Sequence, residues 1–443
     1  MFILRDILTS LQAQFHHSRK GDERGLWFIY TLLAVITHFT SSRTSNVLRC
    51  LQTLFELPIS QRRFYTFMAS PKLPWDKLWR TLWSLIPEPT TEGRLLLALD
   101  DCINPKTGKQ IFGCASFFDH AAKINQSSYP WSQNFVSVGL LKVIKGRWAC
   151  LPLAWCFYHM KKTIEAGQVK INGKHLPFKT KFEQAVEMIG QINSAFANRP
   201  VLIITDSWFG NDGLFKPLRQ QIGSHCHILS RLRVNATLFD HPAAHRKPRR
   251  GRPKKYGRRR GTAKSLAKRS MKKAKRYTLD LYGRQREVWA HDKLLMLKTL
   301  KCAVRVVWVY RKTQWIALYT TDLELSVEQI IEYYGARWKI EAGFKEIKQE
   351  IGSSKSQTWN PHAVTNHLNF CMMATTVTWI YAERLEYTPQ RCYATNNRKH
   401  FAFADVRKLI TQDALDENFI ILCPRPGKPQ PNSFIQALVR MVA

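Results

Sequence analysis

The chain has 443 residues, of which 45% are hydrophobic, and this length allows two or three domains with a sizeable core. Its formal net charge of +36 and its pI near 10.1 indicate a nucleic-acid partner rather than an anionic membrane surface. The most apolar run, Leu26 to Phe39, is too short to span a bilayer, so we expect no membrane partner. The ten cysteines show no paired spacing, which excludes a disulfide framework and indicates a reducing, cytoplasmic location.

Residues 1–90 are predicted to form an all-helical N-terminal DNA-binding domain. Apolar periodicity predicts helices over Leu26 to Phe39, Thr44 to Leu57, Gln61 to Met68 and Trp75 to Ile86. Ser60 is the expected N-cap of the third of these helices. Because this helix carries Arg62 and Arg63, one interpretation is a helix-turn-helix that enters a DNA groove. The alternative is a set of short helices that pack only for stability.

A buried strand is predicted to follow a Pro-containing linker. Leu95 to Leu99 is a continuous apolar run, as in a central strand covered on both faces, and it ends in Asp100 and Asp101. Two adjacent carboxylates at the end of a buried strand need a compensating positive charge, and a divalent cation is the usual one. We prefer Asp100 as the metal ligand, with Asp101 as the alternative.

The order of the next elements is that of an RNase H-like domain. The runs Asn134 to Ile144 and Arg147 to Phe157 are predicted to form a hairpin, and Phe182 to Phe196 has the spacing of an amphipathic helix. The strand Val201 to Thr205 then ends in Asp206. In this fold the first and fourth strands are neighbours, which would bring Asp100 and Asp206 together. Residues 91–232 are therefore predicted to be the first part of the catalytic core.

Residues 233–325 are predicted to form a β-rich insertion that interrupts this core. Arg284 to Ala290, Ala303 to Tyr310 and Gln314 to Thr320 have the composition of β-strands. The insertion also contains the basic segment 246–276, in which seventeen of thirty-one residues are Lys or Arg and none is acidic. Such a charge run is not expected to fold by itself.

One short stretch of the basic segment has two interpretations. Arg250-Gly251-Arg252-Pro253 resembles the core of an AT-hook, in which two arginines enter an A·T minor groove. The other interpretation is non-specific contact of Arg250 and Arg252 with phosphates. Both predict DNA binding that weakens steeply with salt.

Residues 326–390 are predicted to complete the core with a helix that carries two stripes. At about 100° per residue, Ile340, Phe344, Ile347 and Ile351 fall on one narrow apolar arc. Tyr334, Arg337, Glu341 and Lys348 fall on a second arc beside it. A phenol, a guanidinium, a carboxylate and an ammonium are therefore expected to line up next to the core.

The spacing Tyr, two residues, Arg, three residues, Glu, six residues, Lys resembles the signature of DDE transposases of bacterial insertion sequences, in the group named after insertion sequence four. Asp206-Ser207-Trp208-Phe209-Gly210-Asn211 resembles the second motif of these enzymes. The first motif of the family is Asp, any residue, then Thr or Ser, and Cys102 departs from it. The resemblance implies that Asp100, Asp206 and Glu341 hold two Mg²⁺ or Mn²⁺ ions. It also implies that Tyr334, Arg337 and Lys348 hold phosphates of the transposon end.

The resulting hypothesis is an α/β protein with an RNase H-like catalytic core, a mixed sheet flanked by helices, and a C-terminal region over residues 391–443. The implied function is DNA cleavage and strand transfer at the inverted-repeat ends of an insertion sequence, by a homodimer in the bacterial cytoplasm near the nucleoid. Two alternatives stay open, namely a nuclease without strand transfer and a catalytically silent DNA-binding relative. The three acidic residues argue against the silent alternative, since DNA binding alone needs no cluster of repelling carboxylates.

Overall fold

A computed structural model describes residues 2–37, 41–119, 122–242, 254–311, 314–395 and 400–416. The helices are α1 (Phe2–Gln12), α2 (Arg19–Thr37), α3 (Thr44–Thr53), α4 (Gln61–Met68), α5 (Trp75–Ser84), α6 (Lys161–Glu165), α7 (Lys181–Ala195), α8 (Asp212–Ile222), α9 (Ala263–Ser270), α10 (Val327–Ala336), α11 (Trp338–Lys345), α12 (Pro361–Arg384) and α13 (Phe403–Ala414). The strands are β1 (Leu95–Pro105), β2 (Cys114–Ser116), β3 (Trp131–Ile144), β4 (Arg147–Tyr158), β5 (Lys170–Ile171), β6 (Lys174–His175), β7 (Val201–Thr205), β8 (Cys226–Arg231), β9 (Thr237–Phe239), β10 (Arg259–Thr262), β11 (Lys275–Asp280), β12 (Gln285–Leu297), β13 (Cys302–Arg311) and β14 (Gln314–Thr320).

A mixed sheet organises the fold and confirms the predicted α/β class with an RNase H-like core. Strand β1 pairs with β7 in parallel, from Leu95 opposite Val201 to Leu99 opposite Thr205. On its other side β1 pairs with β3 in the antiparallel sense, and β3 pairs with β4. The first and fourth strands of the core are therefore neighbours, as the order of elements predicted.

The centre of the sheet is buried because its strands are apolar on both faces. Every residue from Leu95 to Leu99 is fully buried, and so are Leu202, Ile203 and Ile204. Helix α7 packs against β3 and β4 on one side, and α11 and α12 pack against β4 as well. Continuous apolar strands of this kind need a layer of helices on each face. The paired segments of β1 and β7 are thus held rigidly.

The predicted insertion extends the central sheet outward. Strand β14 pairs with β8, from Leu318 opposite Arg231 to Thr320 opposite Leu229, and β13, β12 and β9 continue beyond it. In the part of the chain that the structure describes, twelve strands belong to this one sheet. The proposed division at residues 90, 232, 325 and 390 stays a prediction, but the core and the insertion share continuous backbone hydrogen bonding.

Part of the basic segment folds because it packs on this extension. Helix α9 begins with a capping box formed by Thr262 and Ser265, and it buries Ala263, Leu266 and Ala267. The buried Trp308 indole donates to the carbonyl of Ala263 at 3.1 Å. The many Lys and Arg residues of the segment made this apolar stripe of three residues hard to recognise in the sequence. The stretch Arg250 to Pro253 lies outside the described residues, so both interpretations of it stay predictions.

Helix α12 joins the N-terminal helices to the sheet. The side-chain oxygen of Asn369 accepts hydrogen bonds from the indoles of Trp79 in α5 and Trp155 in β4, at 2.9 and 3.1 Å. The ring of Phe370 packs against Phe28 with centroids 5.1 Å apart. The N-terminal helices therefore share one core with the centre of the protein.

The predicted helix α4 is present with the predicted cap, since the Ser60 side chain accepts from the backbone N–H of Arg63. Phe64, Phe67 and Met68 are buried, and Arg63 lies over the Trp27 ring at 5.0 Å. Groove binding and packing for stability both stay open for this helix. Among the described helices, none is both long enough and apolar enough for a membrane span.

Candidate active site

Two carboxylates lie where the parallel pairing of two neighbouring strands ends. The predicted end of the first strand at Asp100 and Asp101 is wrong, because β1 continues to Pro105 through antiparallel pairing with β3. Asp100 follows Leu99 in β1, Asp206 follows Thr205 in β7, and Leu99 and Thr205 are register partners. Adjacent strands are about 4.8 Å apart, so Asp100 and Asp206 are close neighbours at the position where β7 ends. Burial raises the pKa of the Asp100 carboxyl to about 7, and the negative charge of Asp206 adds to this increase. The structure therefore brings these two predicted residues together.

Asp101 faces the opposite side of the sheet from Asp100. Its Oδ2 atom accepts from Lys181 Nζ of α7 at 2.8 Å and from Asn134 Nδ2 at 3.0 Å. Asp100 instead points to α11, where its Oδ2 lies 3.2 Å from Nη1 of Arg337. Successive strand residues alternate between faces, so only one of the pair can join Glu341. The geometry favours Asp100 as the first carboxylate, which was the preferred choice.

The loop after β7 is held by hydrogen bonds that fix Asp206. Its Oδ1 atom accepts from the backbone N–H groups of Trp208 and Phe209, each at 3.0 Å. The Ser230 hydroxyl of β8 donates to the Asp206 carbonyl at 2.6 Å. The loop ends at Asn211, the N-cap of α8, whose side chain accepts from the N–H of Gly213. Asp206 and Asn211 of the motif therefore each have a local structural task beside any chemical one.

Gly210 in this loop has no room for a side chain. A Cβ there would lie 2.2 Å from Ser230 Oγ and 2.7 Å from the Tyr319 hydroxyl oxygen. That hydroxyl donates to the Gly210 carbonyl at 2.7 Å. Strands β8 and β14 thus anchor the loop from behind. Sequence reasoning missed these two anchors, because Ser230 and Tyr319 carry no local signal of their role.

The signature segment is helical but is not one uninterrupted α-helix. Helix α10 ends at Ala336, α11 begins at Trp338, and a π-helix follows over Glu346–Ile351. The predicted apolar arc is confirmed, since Ile340, Phe344, Ile347 and Ile351 are all buried. The predicted single helix is wrong in its last turn, where the backbone changes from α-helical to π-helical hydrogen bonding after Lys345. Gly352 ends the segment with a φ of 88°.

Arg337 lies at the centre of the site. Its Nη1 contacts Asp100, and its Nη2 donates to Oε1 of Glu341 at 2.7 Å. Only 10% of the Arg337 side chain is exposed, and its Nε atom is buried without a hydrogen-bond partner among the described residues. The Tyr334 ring lies beside the guanidinium, with its centroid 5.7 Å from Cζ. A planar fork with two charged acceptors is the geometry that arginine favours.

Lys348 lies further along β1 than the carboxylates. Its Nζ donates to the carbonyl of Ile103 at 3.3 Å, and it is near the Cys102 thiol. Burial raises the pKa of Cys102 to about 11, and Lys348 opposes this shift. Cys102, the residue that departs from the family motif, is therefore a neutral, buried neighbour of Lys348. Burial also raises the pKa of Tyr334, against the influence of Arg337 and Arg231.

The donor atoms of the site suit a hard divalent cation. Asp206 Oδ2 and Glu341 Oε2 receive no hydrogen bond from the described residues, and carboxylate oxygens are the ligands that Mg²⁺ and Mn²⁺ prefer. In the same residues, however, no group of three His, Cys, Asp or Glu side chains is arranged around one point. The guanidinium of Arg337 lies between Asp100 and Glu341 and contacts both carboxylates.

Two family models match the chain, and a comparison with curated proteins gives no match. The model described as DDE superfamily endonuclease matches residues 28–310, which include Asp100 and Asp206 and span well over half of the chain. The model of an archaeal transposase, ISC1217, matches residues 290–379, which include Arg337 and Glu341. The two matches together cover all three carboxylates of the site. The chain belongs to the DDE superfamily endonucleases, with a transposase-like segment around Glu341.

Proposed function

We propose that the protein is a DNA transposase that binds the inverted-repeat ends of an insertion sequence and catalyses DNA cleavage and strand transfer. The observation that carries this proposal is the position of Asp100 and Asp206 on neighbouring strands, linked through Arg337 to Glu341. A site of three carboxylates suits phosphoryl transfer on DNA, and it lies beside a tyrosine, an arginine and a lysine that match the spacing of a transposase signature. The net charge of +36 supports a polyanionic substrate.

The proposed metal ligands are Asp100, Asp206 and Glu341. Bound there, two Mg²⁺ or Mn²⁺ ions would supply an activated water or DNA 3′-hydroxyl and a positive charge near the leaving oxygen. The chain itself positions the scissile phosphate. Arg337 offers a planar fork for two phosphate oxygens, while Lys348 acts as a point charge and Tyr334 as a hydroxyl donor. The proposed DNA contacts also include Arg250 and Arg252 of the basic segment.

The same Arg337 fork that would bind phosphate is paired with carboxylates in the structure. Its side chain cannot satisfy Asp100, Glu341 and a phosphate with the same N–H groups. We therefore propose that phosphate binding and carboxylate pairing compete at Arg337. DNA that withdraws the guanidinium would leave Asp100 and Glu341 as free metal ligands, which couples metal binding to the presence of substrate.

The finer parts of the proposal rest on the spacing of Tyr334, Arg337, Glu341 and Lys348. They are membership of the bacterial group named after insertion sequence four, a homodimer in the DNA complex, and action in the cytoplasm at the nucleoid. The match of an archaeal transposase model over residues 290–379 supports a transposase without deciding among groups. Inverted repeats in the DNA that flanks the coding region would identify the ends.

The decisive experiment uses these flanking repeats as short duplexes with a free 3′-hydroxyl, together with a supercoiled target plasmid and Mg²⁺ or Mn²⁺. We expect the purified protein to join the duplex ends to the plasmid, and sequencing of the junctions gives the positions. Cleaved duplexes without joined products would instead support a nuclease that lacks strand transfer. Tight binding without cleavage under any metal would support a catalytically silent relative.

A further inference from the structure

An exposed aromatic stack lies next to Asp206. The indole of Trp208 is 43% exposed, and it stacks on Phe182 of α7 with centroids 4.9 Å apart and an interplanar angle of 8°. Phe209 meets the same indole edge to face at 4.7 Å and is itself buried. A tryptophan that served only the core would be buried like Phe209. The structure instead holds a large flat ring partly in solvent.

This ring is held rigidly. The backbone N–H of Trp208 donates to Asp206 Oδ1 at 3.0 Å, and its carbonyl accepts from Asn211 Nδ2 at 2.7 Å. The loop is anchored from behind by Ser230 and Tyr319. The position of the indole is therefore fixed relative to Asp206. A preorganised aromatic surface loses little conformational entropy when a flat ligand stacks on it.

A positive charge accompanies the stack. Lys181 Nζ lies 5.5 Å from the centroid of the Trp208 ring and 4.9 Å from that of Tyr158, and it is paired with Asp101. Asp101 and α7 are on the face of the sheet opposite to Arg337. The carboxyl edge of the sheet is thus flanked by Arg337 and Tyr334 on one side and by Trp208 and Lys181 on the other.

We propose that Trp208, supported by Phe182, is a stacking platform for an unpaired nucleobase of the DNA strand at the catalytic edge. The proposal rests on the proposed function, since it assumes that DNA passes over Asp100 and Asp206. Aromatic rings bind the faces of all four bases, and a nearby cation suits the adjacent phosphate. The platform would hold the strand in line with the carboxylates once the duplex opens. An apolar side chain from a second copy of the chain is the competing occupant, and the experiment below separates the two.

The test uses two synthetic duplexes with the full-length protein in Ca²⁺ buffer. One duplex carries a short single-stranded extension with 2-aminopurine, and the other is blunt with 2-aminopurine paired inside. Stacking on the indole should quench 2-aminopurine in the extension. We expect Trp208→Ala to remove this quenching and to weaken binding of the extended duplex by about tenfold. Binding of the blunt duplex should stay close to wild type, and Trp208→Phe should retain most of the quenching.

The matched control is Trp359→Ala, because Trp359 is 62% exposed and follows the signature segment without any stacked partner in the described ring pairs. It should behave like the wild type with both duplexes. Equal quenching and equal affinity for wild type and Trp208→Ala would overturn the stacking proposal and leave the proposed function intact. A change in oligomeric state of Trp208→Ala in light scattering, with unchanged quenching, would assign the ring to a contact between copies and would also overturn it. Failure of the wild type to bind either duplex would overturn the proposed function itself.

Discussion

Arg337 and Asp100 form an ion pair at 3.2 Å across the boundary between the signature helix and the central sheet. The pair joins segments that are 237 positions apart in the chain. It also gives the arginine of the signature a contact that the spacing alone did not predict. The guanidinium stabilises two carboxylates that would otherwise repel each other and Asp206. Metal affinity, pH dependence and DNA binding should all respond to this one side chain.

Removal of the guanidinium should increase the response of the protein to metal. Arg337→Ala leaves Asp100 and Glu341 without their shared cation, so we expect the metal-free free energy of unfolding to fall by about 2 kcal/mol. Mn²⁺ should then raise Tm more in the variant than in the wild type, because no guanidinium competes for the carboxylates. Arg337→Lys keeps the charge but loses the planar fork, so its Mn²⁺-induced increase in Tm should lie between those of the wild type and Arg337→Ala. An equal Mn²⁺-induced shift in all three proteins would contradict the competition.

The stability of the metal-free protein should depend on Asp100 in a defined pH range. The folded pKa of Asp100 is about 7 and its ordinary value is 3.8, so the folded state binds the proton more tightly than the unfolded state. Stabilisation from this group is therefore complete below about pH 4 and is lost as the pH rises through about 7. Asp100→Asn cannot ionise, and at pH 8 it should be more stable than the wild type by roughly 1 to 3 kcal/mol.

The measurement for Asp100→Asn is urea unfolding in EDTA across this range. The difference from wild type should shrink steadily toward low pH. Burial also raises the pKa of Glu346 to about 7, but this group is present in both proteins and cancels in the comparison. A difference that stays constant with pH would show that Asp100 is ionised throughout.

Glu341→Gln should separate DNA binding from chemistry. The glutamine oxygen can still accept from Nη2 of Arg337, so the helix should stay in place. The charge that holds a divalent cation is lost, and cleavage in Mg²⁺ should fall by orders of magnitude. DNA affinity measured by fluorescence anisotropy should persist. Glu350→Gln is the control, because Glu350 is exposed in the same segment. Loss of binding with intact cleavage would identify the helix as a docking element.

The exposed basic face of α9 should contribute to the salt dependence of DNA binding. Lys264, Lys268 and Arg269 are exposed on a helix whose other side is packed, so they can be neutralised without deletion of the segment. Changing all three to Gln should make the slope of log affinity against log salt less steep by about 3 units. Neutralising Lys161, Lys162 and Lys170, which are exposed elsewhere, removes the same charge and should leave the slope nearly unchanged. If both triple variants changed the slope equally, the salt dependence would reflect the net charge of the protein and not a contact made by α9.

The sequence predicted those elements whose apolar pattern is local. Val201 to Thr205 and Gln61 to Met68 have the predicted limits, because a continuous apolar run and a capped amphipathic helix are encoded within a few residues. Helix α9 was not predicted, since its small apolar stripe has meaning only against Trp308 and Tyr310 of a distant strand. No pattern in the segment signalled the π-helix after Lys345.

The candidate site also contains features that local sequence predicts and features that only tertiary structure determines. The apolar strands that lead to Asp100 and Asp206 and the helical spacing around Glu341 were predictable from the sequence. The continuation of β1 beyond Asp101 and the choice between Asp100 and Asp101 were not. That choice depends on Lys181 and Asn134, which occupy the other face of the sheet and are remote in sequence. The pairing of Arg337 with Asp100 depends equally on how α11 packs on β1. Contacts of this kind arise from tertiary structure, so residue spacing cannot reveal them.

The central position of α12 affects the order in which the protein can form during synthesis. Asn369 and Phe370 are made about 290 residues after Trp79 and about 340 residues after Phe28, their partners in the N-terminal helices. Until these residues have been synthesised, the N-terminal helices lack their packing partners and expose apolar surface to solvent and to other chains. The first ninety residues therefore complete their packing only after α12 has been synthesised, and by then all three carboxylates of the candidate site, Asp100, Asp206 and Glu341, are already in the chain.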